Sequence, residues 1–450
     1  MKGDLLPWAS PSLERAPPAS VPSSESYASG RESWALLSIL LIVNMLCQID
    51  RILPFILAEP IKRELGLSDT QLGLVTGIAF AVCYALMSLP LARASDRGSP
   101  RRVLILCILI WSVMSSLGSL AASFLFLAVT RFGVALGEAG ATPAAHALIA
   151  RRIRPEHRGL AIGIFSMGIP LGTMAGFAGG GTIGDRLGWR AVLLGAGVIG
   201  GLLVMLTIAI TRSTQPLRRE AIDREPFLQS SLHLLSSPGF RWLFIGAVIV
   251  GFAATPFYAF AAPFLMRTHG YTASEVGLTF GLLQGLMGLI GTAIGGPGFD
   301  RAVRSGTGRV LAPPAFLLLI ASVTTAAALF VRTGWLSIAL LVPGMLSFAF
   351  MLPWSFGAAH LVAGPGRQAM ASSLVLIGSG LLGPALGPVI VGAVSDAATA
   401  AKVPNGLGFG LLVVPVASAL TGISMLIASQ RIDALRLQQA SAAGLRTGDR

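Results

Sequence analysis

The sequence predicts an all-α integral membrane protein with twelve transmembrane helices in two pseudo-symmetric six-helix bundles. Three observations predict this class. First, 54% of the 450 residues are hydrophobic and only 12% are charged, with a mean hydropathy of +0.75, whereas a soluble domain is about one-quarter charged. Second, twelve apolar runs approach the ~20 residues that a bilayer core requires of a helix. Third, polar signatures in the first six runs recur in the last six.

The first six runs cover 34–57, 72–92, 103–122, 124–150, 160–183 and 191–211. The last six cover 242–266, 276–299, 310–331, 335–362, 369–395 and 406–429. They are continuously apolar rather than alternating, which argues against a closed β-barrel. Five regions follow. Residues 1–33 hold acidic groups and prolines but no apolar core of a cleavable signal. A disordered cytoplasmic tail is expected there, with the first helix as an uncleaved anchor. Residues 34–211 form the first bundle, 212–241 a cytoplasmic linker, 242–429 the second bundle and 430–450 a cytoplasmic tail. The linker carries both charge signs and Phe227, Leu228, Leu232, Leu234 and Leu235, which suit a short helix on the membrane surface.

The net charge of +13 does not point to nucleic acid, because no basic stripe with interleaved aromatics occurs. With the N-terminus inside, five cytoplasmic loops hold 17 Lys and Arg and six external loops hold 7. That asymmetry directs both termini to the cytoplasmic side of the cell (inner) membrane. Cys47, Cys83 and Cys107 lie in apolar runs without C-x-x-C spacing and read as small buried hydrophobes. The five histidines lack metal-ligand spacing, and no phosphate-binding loop occurs. Neither a metal, a cofactor nor an enzymatic activity is expected.

The halves repeat. Ala92-x3-Asp96-Arg97 follows the second run and Gly296-x3-Asp300-Arg301 follows the eighth. Gly181-x3-Asp185 closes the fifth and Gly392-x3-Asp396 closes the eleventh. Repeats of this kind suit a transporter whose substrate site lies between two halves.

Four charges lie deep in spans: Asp50, Arg51, Arg131 and Glu138. Each costs roughly 2.5–3.5 kcal/mol near a helix centre on insertion scales. Arg131 and Glu138 stand two helical turns apart on one face. Asp50 and Arg51 reach similar depth, so the four are expected to meet in one polar cluster. They would carry protons (Asp50, Glu138) and tune them or hold an anionic substrate group (Arg51, Arg131). The bland alternative is an ion-pair network that only holds helices together. The second half has no central charge. Phe257, Tyr258 and Trp354, with Tyr84 from the first half, are expected as aromatic cavity wall; packing against lipid or neighbouring helices is the competing reading. Glycine and proline are dense in the fifth and eleventh runs, for example Gly168, Pro170 and Gly172, then Gly383, Pro384 and Gly387. Small residues permit close helix approach, either for sliding or for static packing.

At this point a resemblance emerges. Ala92-Arg93-Ala94-Ser95-Asp96-Arg97-Gly98-Ser99-Pro100-Arg101-Arg102 resembles the loop signature G-x-L-a-D-r-x-G-r-r of the major facilitator superfamily, departing at Ala92, Ala94 and Ser99. Asn44-x5-Asp50-Arg51, Leu67-Ser68-Asp69-Thr70-Gln71-Leu72-Gly73, Arg131-x5-Gly137-Glu138-Ala139-x3-Pro143, Gly188-Trp189-Arg190 and Leu386-Gly387-Pro388-x2-Val391-Gly392-x2-Ser395-Asp396 together resemble the bacterial Spinster-like branch. The resemblance implies alternating access between two halves and, as in animal members, lysophospholipid or sphingoid-phosphate substrates with proton coupling in some. It makes Asp50, Arg51, Arg131 and Glu138 the buried polar site. Asp96, Arg97, Arg101 and Arg158 become a cytoplasmic gate, with Asp300 and Arg301 as the repeat counterpart. The fifth span has Gly-Ile-Pro-Leu-Gly where drug:proton antiporters have G-P-x-x-G-G. The expectation is a monomeric secondary transporter of an amphipathic anion or lysolipid, using protons as coupling ion and touching membrane lipids. A carrier of a small organic anion or hydrophobic drug is the alternative.

Overall fold

The computed structural model describes residues 30–211, 227–305, 309–364 and 367–447, with side chains described for most of these. The tail expected over 1–33 lies outside the described residues up to 29. All described regular elements are helical. Ten segments are long and apolar enough to cross a bilayer. One of them, Arg158–Ile210, has 53 residues and turns at Gly188, where φ is 81°, so it contains two crossings. Ala312–Ala328 is a shorter apolar helix of 17 residues, about 26 Å at 1.5 Å per residue. Twelve crossings result, as lipid demands of a chain whose backbone groups must all bond internally.

The spans are, in order, Gly30–Ile56, Asp69–Arg97, Pro100–Gly118, Phe124–Arg152, the two crossings of Arg158–Ile210, Pro238–His269, Ala273–Arg304, Ala312–Ala328, Gly334–Ala363, Met370–Ala400 and Gly406–Ala434. Several are broken within the bilayer. The second divides at Gly77, the fifth at Met167 and the eleventh at Leu381. The eighth winds through a π-helical turn, Gly277–Gly281. An even number of crossings places both chain ends on one face, called the terminal face below. The opposite one is the far face.

Two boundaries differ most from the hydropathy reading, and the linker holds a helix where one was expected. Pro238 at its first turn starts the seventh span before residue 242. The linker contains a helix, Phe227–Ser236, whose Leu234 is buried while Leu232 faces out. The last helix continues to Thr447, so the region expected as a cytoplasmic tail from 430 is helical up to that residue. Ile432 packs into the second half, and Asp433 accepts the backbone N–H of Arg309. Hydropathy marks where lipid stops; a helix continues wherever its next turn still finds partners.

On the far face the helix Ala58–Leu65 follows the first span. The Trp189 indole N–H donates to Glu64 at 2.5 Å, and Arg190 pairs with it at 2.7 Å. These two contacts, the indole first, hold the Glu64 carboxyl below the ordinary glutamate range. A group depressed in this way stabilises the fold above its unfolded range, and the contribution disappears as pH falls through its folded value. Glu64 and Arg190 are both substantially exposed, so Glu64→Gln should cost only ~0.2–1 kcal/mol. A shift of many degrees in the thermal unfolding of the detergent-purified protein would contradict that.

The apolar core has three parts. One lies within the first half and one within the second. The third joins both, with Ile52, Ile56 and Phe177 packed beside Phe257, Phe264 and Phe280. The halves therefore share a continuous core only toward the far face.

Candidate functional site

Between the halves lies a cavity of about 320 Å³. The first half contributes Gln48, Arg51, Thr76, Phe80, Tyr84, Arg131 and Thr173; the second contributes Thr255, Tyr258, Gly380 and Pro384. The polar cluster sits in its first-half wall. Arg51 donates to Glu138 through Nη2 at 2.8 Å and Nε at 3.2 Å. Arg131 donates through Nη1 to the backbone carbonyl of Asp50 at 3.2 Å. The Asp50 carboxylate accepts the Ser115 hydroxyl at 2.6 Å. The four deep charges thus meet, and their arrangement is layered. Both guanidiniums line the cavity, whereas the two carboxylates are absent from its wall and fully buried behind it. The Arg51 side chain is 35% exposed against 0% for Glu138. Glu138 Oε1 and Arg131 Nε are buried without a hydrogen-bond partner.

The guanidiniums also lie over aromatic rings. Arg51 stands 5.0 Å from the Phe80 centroid and 5.1 Å from that of Tyr84, and Arg131 stands 5.6 Å from Phe80. Each such contact is worth ~0.5–2 kcal/mol, most when desolvated. They hold two cations at an apolar wall without neutralising them. Phe80 escaped the sequence reading because a phenylalanine in an apolar run carries no mark of the face it occupies.

Two expected wall residues are elsewhere. Phe257 is 1% exposed and packs on Phe280 and Phe348; Trp354 is 2% exposed and packs on Phe299 and Phe350. Phe257 belongs to the core shared by the halves and Trp354 to the second-half core. Tyr84 and Tyr258 do line the cavity.

The far face is shut by a polar lock across the halves. Asp69 receives Arg267 bidentately at 2.7 and 2.8 Å, Lys62 at 2.5 Å and the Ser395 hydroxyl at 2.6 Å. Arg267 also donates to Glu59 at 2.6 Å. Asp396, at the end of the eleventh span, accepts the backbone N–H groups of Asp69 at 2.9 Å and Thr70 at 2.8 Å. Those groups open the second span, whose Ser68 and Gln71 form a capping box. The same device recurs by pseudo-symmetry. Asp185, ending the fifth span, accepts the N–H of Ser274 at 2.6 Å, beside the capping box of Thr272 and Glu275 that opens the eighth. Carboxylates suit helix N-termini because the first N–H groups lack intrahelical partners and carry partial positive charge. The preceding glycines permit the approach. A side chain at Gly392 would collide with the Asp69 carbonyl, and one at Gly181 with that of Ala273. The repeated Gly-x3-Asp motifs and both capping boxes stand in the sequence; that they dock on each other does not.

The described residues of the terminal face form no such lock. Among the described residues, no hydrogen bond or ion pair joins Asp96, Arg97, Arg101, Arg158, Asp300 or Arg301 to the opposite half. Arg101 donates to the carbonyls of Thr211 and Ile208, and Arg158 to those of Ile153 and Ala150, all within the first half. Asp96 contributes its carbonyl rather than its carboxylate, to Arg151 at 2.7 Å. Asp300 lines a separate surface groove beside His360. The expected gate residues are thus apart here, and the latch in place is the one at the far face.

Comparison with known proteins agrees with this architecture. The family model of the Major Facilitator Superfamily matches residues 39–388. An MFS-type efflux pump of Mycolicibacterium smegmatis is 34% identical over 411 residues, covering 90% of this chain and 95% of that protein. Protein spinster of Drosophila melanogaster is 25% identical over 85% of this chain, which spans 65% of that longer protein. A bacterial homologue of the human lysosomal transporter Spinster, crystallised in an inward-facing and unoccupied conformation, superposes with a TM-score of 0.77 at 27% identity, covering 90% of this chain and 97% of the other. With both halves, the deep charge cluster and this similarity over most of its length, the chain belongs to the major facilitator superfamily, in its Spinster-like branch, and is a membrane transporter rather than an enzyme.

Proposed function

We propose that the protein carries an amphipathic anion of lysolipid type together with a proton, by alternating access, across the cell (inner) membrane. It works as a monomer with the terminal face in the cytoplasm, the side favoured by the loop charges. The observation that carries this reading is the layering of Arg51 in front of Glu138. An anionic headgroup entering the cavity competes for Arg51. As the guanidinium turns to it, Glu138 is left buried without its counter-charge. A buried carboxylate escapes that cost by taking a proton. Anion binding and protonation therefore favour each other, and a singly charged anion crosses with one proton without net charge movement. Asp50, held by Ser115, is a second proton carrier on the same route. Ile52, Phe55, Phe80 and Ile169 offer the apolar surface for a tail.

A second reading is export of an uncharged or cationic hydrophobic compound. It is favoured by the efflux-pump relative and by a second-half wall without charged side chains. Proteoliposomes with an imposed pH gradient separate the two. Labelled oleoyl lysophosphatidate should accumulate on the alkaline side, with pyruvate and ethidium unmoved. Ethidium transport with no lysophosphatidate movement would establish the second reading instead.

A further inference from the structure

We infer that Tyr258, fixed by Gln284, is a second substrate subsite that reads a neutral hydroxyl on the transported anion. This deepens the reading above, since it presumes that an anion occupies the same cavity. Tyr258 lies in the cavity wall on the second half, facing a site whose charges all come from the first. Its phenol oxygen accepts Nε2–H of Gln284 at 3.0 Å. Gln284 is 2% exposed and sits behind it. Among the described residues the phenol O–H has no acceptor of its own, and Gln284 Oε1 is buried with no partner. Turning the amide over only exchanges the defect: the phenol then donates to the amide oxygen and the buried amide nitrogen is the unpaired group. In either arrangement the phenol keeps an open valence at the cavity, its O–H in the first and an oxygen lone pair in the second, while one atom of the buried amide stays unpaired, which is costly in an apolar setting.

Place in the repeat supports a substrate role. The seventh span begins 208 residues after the first, and the same interval separates Asp50 from Tyr258. Pseudo-symmetry thus sets Tyr258 at the level of the deep charge cluster, across the cavity from it. The ligand group that fits must be uncharged, because no ion faces it on this side, and a hydroxyl both donates and accepts, so it satisfies either amide arrangement. The guanidiniums take the anion, the phenol takes the hydroxyl, and the substrate is held at two points. Gln284 is a positioning residue that aims the phenol.

The test uses the full chain in proteoliposomes with two probes, oleoyl lysophosphatidate and its analogue lacking the glycerol hydroxyl. Wild type should transport the hydroxylated probe with about tenfold higher kcat/KM, the equivalent of one hydrogen bond of ~1.4 kcal/mol. Tyr258→Phe should lose that preference by slowing only the hydroxylated probe, through KM, and Gln284→Leu should do the same. Equal slowing of both probes, or no preference in wild type, would overturn the subsite while leaving the anion reading intact. If wild type moves neither probe, the anion reading fails and the subsite fails with it.

Discussion

Glu138→Gln should abolish proton-driven accumulation of the substrate. A carrier that moves one proton with one monovalent anion sustains about tenfold accumulation per pH unit, since one unit is worth 1.36 kcal/mol. Glutamine keeps the shape of the side chain and leaves Arg51 an acceptor, but it carries no titratable proton. Accumulation should fall to onefold, whereas exchange of labelled for unlabelled substrate across the membrane continues. Exchange also verifies that the variant is folded, which matters because Glu138 is buried with a charged partner at 2.8 Å. Asp50→Asn should act in the same direction, because asparagine can still accept the Ser115 hydroxyl. Undiminished accumulation at an imposed pH gradient in both variants would show that the cluster is architectural.

Arg267→Ala should open the far face. Among the described residues, Arg267 is the one side chain that bonds both Glu59 and Asp69 from the opposite half. Its removal leaves two carboxylates, each less than one-tenth exposed, without their main counter-charge. Losing one partner of a buried pair costs about 3–5 kcal/mol, and the lower end applies because Lys62 stays on Asp69 and Arg63 on Glu59. All of that cost falls on the conformation with the far face shut, where the pair exists. A penalty of ~3 kcal/mol moves a two-state equilibrium more than a hundredfold. Spin labels at Leu187 and Lys402, exposed far-face positions on opposite halves, should report a longer mean separation in the variant than in the wild type. Identical distance distributions would mean that the apolar contacts of Phe177 with Phe280 hold the face shut without the ionic lock. Gly392→Val should push the same way for a steric reason, by keeping the eleventh span off Asp69.

The two locks explain how the pseudo-symmetry is used. Each half ends one helix, the fifth or the eleventh, with Gly-x3-Asp, and starts another, the second or the eighth, with a capping box. Each aspartate docks on the capping box of the other half. The Asp396 docking is reinforced by Arg267 and Lys62, whereas the Asp185 docking rests on the Ser274 N–H and the apolar contacts nearby. The lock is therefore asymmetric, and disruption on the Asp69 side should matter more.

Much of the site was legible before any coordinates. Asp50, Arg51, Arg131 and Glu138 stand out because an ion within an apolar run is expensive, and their spacing already placed two of them on one face. Their pairing was open: Arg51 takes Glu138, while Arg131 reaches the Asp50 backbone rather than its carboxylate. The aromatic wall was half legible. Tyr84 and Tyr258 reach the cavity, but Phe257 and Trp354 turn into the core, and Phe80 turns out of it. A helix that is apolar all round gives no periodic clue to its own rotation, so neighbours decide which face is buried. Arg267 and Asp69 lie just outside the apolar runs, where nothing local tells a solvated pair from a lock between halves.

The sequence by itself determined the class, the number of crossings, the repeat and the identity of the buried ions. It did so because hydrocarbon cannot hydrogen-bond: every crossing must be an apolar helix, and every exception is conspicuous. Only the tertiary structure decided which face is shut, which cation holds which carboxylate, and which aromatics meet the cavity. Those outcomes depend on contacts between residues hundreds of positions apart, such as Asp69 and Asp396. Their energies exist only once two rigid halves have come together.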